Sequence, residues 1–365
     1  MTRPVAIACG GTGGHLFPGV AVADELLRRG VESLLIVSRK KVDEVALRGG
    51  KHPSVAVSAI GWPGIRSLRV LTFGYALFKT YFECAQLFER RRPGAILGMG
   101  GFTAAVPLWL GVKREIPTLL HESNAIPGRV TRSLAGRVSR VLVGLEATRG
   151  QIIESAKVSV TGTPVRRALF GVSREQGQAL FGFEKGKKTV LVMGGSQGAL
   201  GLNSAVIDAL PLLGDRIQRW QFLHLTGLED RTRVEAAYRA AGALATVMAF
   251  CDRMGEAYAV ADAVVARSGA ASLAEIATAG IPAVLVPFPF AADNHQWYNA
   301  KAFLDAGAAV VLEQDGLDGA RLVSAMSEIL DSAERGGAMR AASRGLSSEG
   351  AAARVADAVM EVMHR

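Results

Sequence analysis

Val5–Gly30 reads VAIACGGTGGHLFPGVAVADELLRRG, and Thr189–Gly198 reads TVLVMGGSQG. Each stretch opens on an apolar run of strand length that passes directly into a double glycine. Runs apolar at every position, not at alternate ones, suit strands buried on both faces, as in parallel sheets. Behind the first run, Val20, Ala23, Leu26 and Leu27 share one helical face, and Gly30 supplies a C-terminal stop. The spacing predicts a helix over Phe17–Arg29. Further buried strands are predicted at Ser33–Val37, Ala95–Gly98, Thr118–His121 and Val138–Val143. After the restart at Thr189, they are predicted at Phe222–Leu225, Thr246–Ala249, Ala263–Ala266 and Ala283–Val286. Two βα series with right-handed crossovers make an α/β chain of two doubly wound parallel sheets. The Gly-Thr-Pro break at Gly162–Val165 is the expected join. A last helix, about Ala351–His364, follows a Gly/Ser-rich break at Gly345–Gly350.

The composition bounds the class. A chain of 365 residues supports two cores of roughly 150–200 residues. With 49% hydrophobic and 21% charged residues it is globular. Cys9, Cys84 and Cys251 are scattered and odd in number, which argues against a disulfide framework and for a reducing cytoplasm. The N-terminus reads as a strand, not a secretory signal. The longest apolar stretches, Met99–Val112 and Ala279–Ala292, are too short to span a bilayer. Charge is divided unevenly. Residues 1–165 hold 22 Lys+Arg and 11 Asp+Glu, a net of +11, whereas residues 166–365 hold 20 and 22, a net of −2. The basic half is expected to meet something anionic, such as phospholipid, pyrophosphate or nucleic acid, with a plain solubility bias as the alternative.

Three loops are built alike, at Gly10–His15, Gly98–Thr103 and Gly194–Gly198. Glycine lets backbone approach a ligand, and the helix behind it offers free N–H groups to an anion. A tight turn that binds nothing is the alternative for any one loop. None is a dinucleotide fingerprint, since Gly11–Leu16 lacks the third glycine, and no GxxxxGK[ST] loop exists. Ser38-Arg39-Lys40 ends the second strand, where residues of this type could take a 2′-phosphate, so an NADP enzyme stays in view. His15 sits where ligands of open α/β sheets bind, and a neutral imidazole there could accept a proton from a hydroxyl. A capping or packing role is its alternative. In the second half, Arg267–Glu275 follows a strand and opens a helix, and Glu275 could accept both ribose hydroxyls or simply favour the helix dipole. Pro287–Gln296 forms a proline-fixed wall of polar groups suited to a sugar, although Asp293 and Gln296 also have capping-box spacing.

These segments together carry a resemblance. GGTGGHLFPGVAVADEL at 10–26, GMGGFTAAVP at 98–107, HESNAIPGRVTR at 121–132, GTPVR at 162–166, GGSQGALGLN at 194–203, RSGAASLAEIATAGIPAVLVPFP at 267–289 and ADNHQ at 292–296 run in order over nearly the whole chain. They resemble the MurG family, the bacterial UDP-N-acetylglucosamine:lipid I N-acetylglucosaminyltransferases of the GT-B superfamily. The resemblance implies two Rossmann-like domains facing a cleft. It assigns residues 1–164 to an acceptor and membrane domain, about 346–365 to a helix returning to it, and 165–345 to a UDP-GlcNAc domain. Carried over, Thr12, Gly13 and Gly14 lie near the donor phosphates and sugar, and Asn124 touches the sugar. Arg166 and Ser196 contact UDP; Ala270, Ala271, Ser272, Leu273, Ala274 and Glu275 hold the nucleotide; Gln296 binds the GlcNAc hydroxyls. The backbone around Cys251 faces uracil, and Gly100, Gly101, Phe102, Thr103 and Glu122 serve the acceptor.

The implied reaction is inverting transfer of GlcNAc to the muramyl 4-hydroxyl of lipid I, giving lipid II. His15 is the expected general base, with Glu122 and Asn124 as neighbouring candidates. No Asp-x-Asp motif occurs, so neither metal nor cofactor is expected. The expected location is the cytoplasmic face of the cell membrane. Ile65–Phe82, with Arg66, Arg69 and Lys79 among its apolar residues and Arg90-Arg91-Arg92 beyond, is the candidate membrane patch. An ordinary core helix with a solvated edge is the alternative reading of that segment. Cell-wall and division proteins are candidate partners, and nucleic acid is not. Another GT-B acceptor, an NADP oxidoreductase and a non-catalytic scaffold are the competing readings.

Overall fold

The computed structural model describes residues 3–40, 43–44, 47, 50–61, 70–153, 157–195 and 198–364. The chain divides into two compact units, Met1–Arg166 with Ser348–Arg365, and Arg167–Ser347.

The first unit is built on seven parallel strands: β1 (Val5–Ala8), β2 (Ser33–Ser38), β3 (Ser54–Val57), β4 (Ala95–Gly98), β5 (Thr118–Glu122), β6 (Arg140–Val143) and β7 (Val158–Val160). Their order is β3-β2-β1-β4-β5-β6-β7, so the direction of winding reverses between β1 and β4. The pleat of β1 divides its side chains between two cores. Val5 and Ile7 join Leu26 and Leu97 on one face, and Ala6 and Ala8 join Ile96 and Leu120 on the other. The last helix, Ala351–Met363, lays Val355, Val359 and Val362 on the first of these faces. Thr163 N donates to Ser348 Oγ at 3.3 Å where the chain re-enters the unit.

The second unit holds β8 (Lys188–Met193), β9 (Trp220–Leu225), β10 (Ala245–Met248), β11 (Ala263–Ala266), β12 (Ala283–Leu285) and β13 (Ala309–Val311). They run in parallel in the order β10-β9-β8-β11-β12-β13, with the reversal between β8 and β11. The doubly wound expectation holds in both units. The differences fall at the edges: β3, β7 and β13 carry no strand prediction, and all three are outermost strands. An edge strand is covered on fewer sides and needs a shorter apolar run, so it leaves less mark in the sequence. The first helix also starts earlier than its apolar spacing suggests. It runs Gly13–Arg28 with Thr12 as N-cap, so Gly13, Gly14 and His15 form its first turn, not part of a loop.

Candidate active site

In open α/β sheets, ligands bind beyond the carboxyl ends of the strands, at the switch point. In the first unit this edge is formed by the segments following β1, β2, β4 and β5. Their glycines are there for space. Gly100 and Gly101 have φ of +84° and +67°, and a Cβ on Gly101 would lie 2.9 Å from Cε1 of His15. Gly11, at φ +106°, gives its space to the Phe102 ring. Side chains bind these loops to one another. Thr103 Oγ1 donates to Gly10 O at 2.9 Å, and Lys40 Nζ donates to Gly11 O at 3.1 Å while lying over the Phe102 ring. Buried Asp43 accepts from Gly11 N at 2.7 Å, Ser38 N at 2.9 Å and Ser38 Oγ at 2.6 Å through one oxygen.

His15 is partly exposed, with Nδ1 3.1 Å from Thr12 Oγ1. His121 is fully buried. Its Nε2 lies 3.0 Å from Gly162 O, which can only accept, so that nitrogen carries the proton. Burial holds the His121 pKa below the ordinary value, and nearby His15 adds to the lowering. Glu122 is also interior. It accepts from Asn124 N and Nδ2 at 3.0 Å each, Gly128 N at 2.8 Å and Thr131 Oγ1 at 2.6 Å. Hydrogen bonds to a charged group contribute about 1.5–3 kcal/mol each. These bonds tie Glu122 to the loop carrying Asn124. Thr103 and Glu122, expected at the acceptor, each make internal hydrogen bonds. Arg166 stacks its guanidinium over Phe17, 4.1 Å from the ring centroid.

The corresponding edge of the second unit is organised around ionic groups. Arg267 is buried and donates to Val286 O at 3.1 Å and Pro287 O at 3.2 Å, as well as to Gln314 Oε1. Desolvation lowers its pKa below the ordinary arginine value. Its guanidinium also faces the Phe288 ring. The loop after β12 is therefore pinned at its root. Farther along, Phe288 N donates to Gln296 Oε1 at 3.0 Å, and Ser268 Oγ donates to Gln296 O at 2.7 Å. Gln296 does not reach back to form a capping box. The helix His295–Asp305 has Asn294 as N-cap without a side-chain cap bond, and Asp293 and Asn294 both have φ of +52°. Glu275 lies in the helix Ala270–Ala279, whose Gly269 N-cap follows β11. Its Oε2 accepts from Tyr258 O–H at 2.9 Å. Cys251 is buried, and burial raises its thiol pKa, so its side chain offers no nucleophile.

Comparison with known proteins gives the family. The Glycosyltransferase family 28 N-terminal domain matches residues 5–143, and the family 28 C-terminal domain matches residues 189–359. An Anaeromyxobacter sp. (strain K) protein is 37% identical over 98% of this chain and 93% of its own length. One from Desulfotalea psychrophila is 35% identical over 100% and 98%. Both are UDP-N-acetylglucosamine–N-acetylmuramyl-(pentapeptide) pyrophosphoryl-undecaprenol N-acetylglucosamine transferases. The chain belongs to glycosyltransferase family 28.

Solved structures agree on its GT-B-like fold. Acinetobacter baumannii MurG, 24% identical, matches at a TM-score of 0.75 over 99% of this chain and 100% of its own. A Neisseria meningitidis UDP-GlcNAc 2-epimerase bound to UDP-GlcNAc, 13% identical, matches at 0.74 over the same shares. Within this family 28 chain, the structure gathers His15, Thr12, Gly100, Gly101 and Phe102 at one edge, and Glu275, Gln296 and the Ala270 helix start at the other. Ser196 lies outside the described residues. Arg39 pairs with Glu83 at 2.8 Å.

Asp43, Tyr258, the Arg267–Gln314 bond and a buried network in the second unit did not stand out in the sequence. In that network, His224 lies between Tyr238 Oη and Asn203 Oδ1 at 3.1 Å each, and Asn203 donates to Asp230 at 2.7 Å and to Thr226 O at 3.0 Å. Asn203 is visible in GGSQGALGLN, but its partners lie more than 20 residues away.

The helix Val70–Arg91 decides between a core face and an exposed one. Ala76, Thr80, Cys84 and Phe88 point inward, while Leu71, Tyr75, Phe78 and Phe82 form an outward stripe, Leu71 at 83% exposure. Trp109 extends the stripe from the neighbouring helix, with Lys113 Nζ over its ring. Ile65, Arg66, Leu68 and Arg69 lie outside the described residues. Among the described residues, no helix is long and apolar enough to cross a membrane.

Proposed function

We propose that this enzyme moves GlcNAc from UDP-GlcNAc to the 4-hydroxyl of MurNAc in lipid I, giving lipid II. The observation that carries the reading is 37% identity, over nearly the whole of both chains, to a curated transferase of that name. The muramyl oxygen attacks the anomeric carbon from the face opposite UDP. The bond from that carbon to the diphosphate oxygen breaks, and the linkage inverts from α to β. His15 takes the hydroxyl proton. With Thr12 Oγ1 accepting from Nδ1–H, Nε2 keeps the lone pair that this needs. Gly100 and Gly101 supply the space the ring occupies. The N-termini of the helices behind the glycine loops, with Arg166, oppose the charge that develops on UDP.

The second unit holds the donor. Glu275 accepts from the ribose hydroxyls, Gln296 meets the sugar hydroxyls through its amide, and the backbone near Cys251 faces uracil. The exposed stripe from Leu71 to Phe82, with Lys79, Lys113 and Arg90-Arg91-Arg92 around it, seats the first unit on the anionic cytoplasmic face of the membrane that holds lipid I. UDP release from UDP-GlcNAc and a soluble short-chain lipid I analogue, with EDTA present, tests the reading. Turnover is expected. Binding of UDP-GlcNAc without turnover would assign the enzyme a different acceptor or a metal requirement.

A further inference from the structure

We propose that Tyr258 is a positioning residue for the ribose of the donor, acting through Glu275. The inference rests on the proposed role of Glu275 as acceptor for the ribose hydroxyls. Tyr258 lies in the helix Met254–Val260 and is 3% exposed, packed in the core with Leu191 and Leu273. Phenylalanine would serve that packing as well. The buried hydroxyl is costly unless it is bonded, and its O–H donates to Glu275 Oε2 at 2.9 Å. Met193 Sδ stands 3.8 Å from the same oxygen. A thioether is a weak acceptor beside a carboxylate, so the single phenol proton goes to Glu275.

The terminal torsion of a glutamate is broad and two-fold, unlike the staggered wells nearer the backbone. A rigid donor on one carboxylate oxygen narrows that torsion. Two vicinal hydroxyls donate along two directions, so they bind best to a carboxylate whose plane is already set. Tyr258 comes from a different helix than Glu275, and its own ring is locked by the core. The bond therefore transfers the rigidity of the core to a partly exposed carboxylate.

The test uses Tyr258→Phe, Glu275→Ala and the double variant, with steady-state kinetics on UDP-GlcNAc and on its 2′-deoxyuridine analogue. Tyr258→Phe is expected to raise KM for UDP-GlcNAc about 5–20-fold, with kcat within about 2-fold of the parent. It should also narrow the preference for ribose over deoxyribose by about 5-fold. Glu275→Ala should abolish that preference, and the double variant should lose nothing further. Equal KM increases for both donors, with the preference intact, would mean that Tyr258 only packs and would overturn the proposal. Should Glu275→Ala itself keep the preference, the ribose reading fails and this proposal with it.

Discussion

At the edge of the first sheet, glycine loops are tied together by Thr103, Lys40 and Asp43, and a partly exposed histidine stands among them. At the edge of the second, a buried arginine pins one loop, and a tyrosine braces a carboxylate. Both edges grow from the same winding, with the reversal at β1/β4 and at β8/β11. Their chemistry follows from what fills the strand-to-helix turns. The first turns make room: Gly11, Gly100 and Gly101 yield space to Phe102 and His15. The second make direction, because Arg267, Tyr258 and Ser268 each commit a donor to a named acceptor. An edge that makes room suits a group that must move a proton, and an edge that fixes direction suits recognition of a ligand with many hydroxyls.

The two edges should therefore divide the kinetic effects between them. His15→Ala should lower kcat by about 100-fold or more and leave KM for UDP-GlcNAc nearly unchanged, as steady-state kinetics would show. A rise in donor KM with kcat preserved would move His15 from chemistry to binding. Leu71→Ser with Phe78→Ser should weaken sedimentation with anionic vesicles by about 50-fold, while turnover of a soluble acceptor stays as it was. Equal loss in both assays would make the stripe part of the fold, not a membrane face. Gln296→Ala should raise KM for UDP-GlcNAc about 10-fold with a smaller effect on UDP binding, measured calorimetrically.

The smallest effect is on stability. Burial pushes the His224 pKa down to about 3 from an ordinary 6.5. Between those values the unfolded chain binds a proton that the folded chain does not, so stability falls as pH falls from 6.5 towards 3. At pH 5.5 the loss attributable to His224 is about 1 kcal/mol relative to neutral pH. His121 has a shift of the same sign in the first unit. Chemical denaturation from pH 7.5 to 5 should show both units losing stability on acidification, and a flat profile would contradict this.

Much of the fold was legible because burial on both faces writes continuous apolar runs. β1, β4, β8 and β11, which flank the two switch points, are buried at every position or nearly so; β1, β4 and β11 lie within or match predicted runs, and β8 begins one residue before its own. β3 and β7 alternate poorly with exposed residues, and β13 is only three residues long, so they became visible only through their pairing with β2, β6 and β12. The candidate site divides similarly. His15, Gln296 and Glu275 stand out because a polar or ionisable side chain in the segment that follows a buried strand is conspicuous in the sequence. Asp43 is inconspicuous there, because the group it holds, the Gly11 amide, lies 32 residues away.

By itself, then, the sequence determined the two βα series, the glycine turns and the kinds of chemical group at their ends. Backbone conformation and side-chain periodicity depend on residues only a few positions apart. The tertiary structure decided which of those groups are held inside. Glu122 and Thr103 look like site residues in the sequence and are engaged by backbone and hydroxyl partners, whereas Tyr258 looks like core and reaches Glu275. Those outcomes depend on donors and acceptors brought together from distant segments, and on the cost of leaving a buried polar group unpaired, which no local window of sequence records.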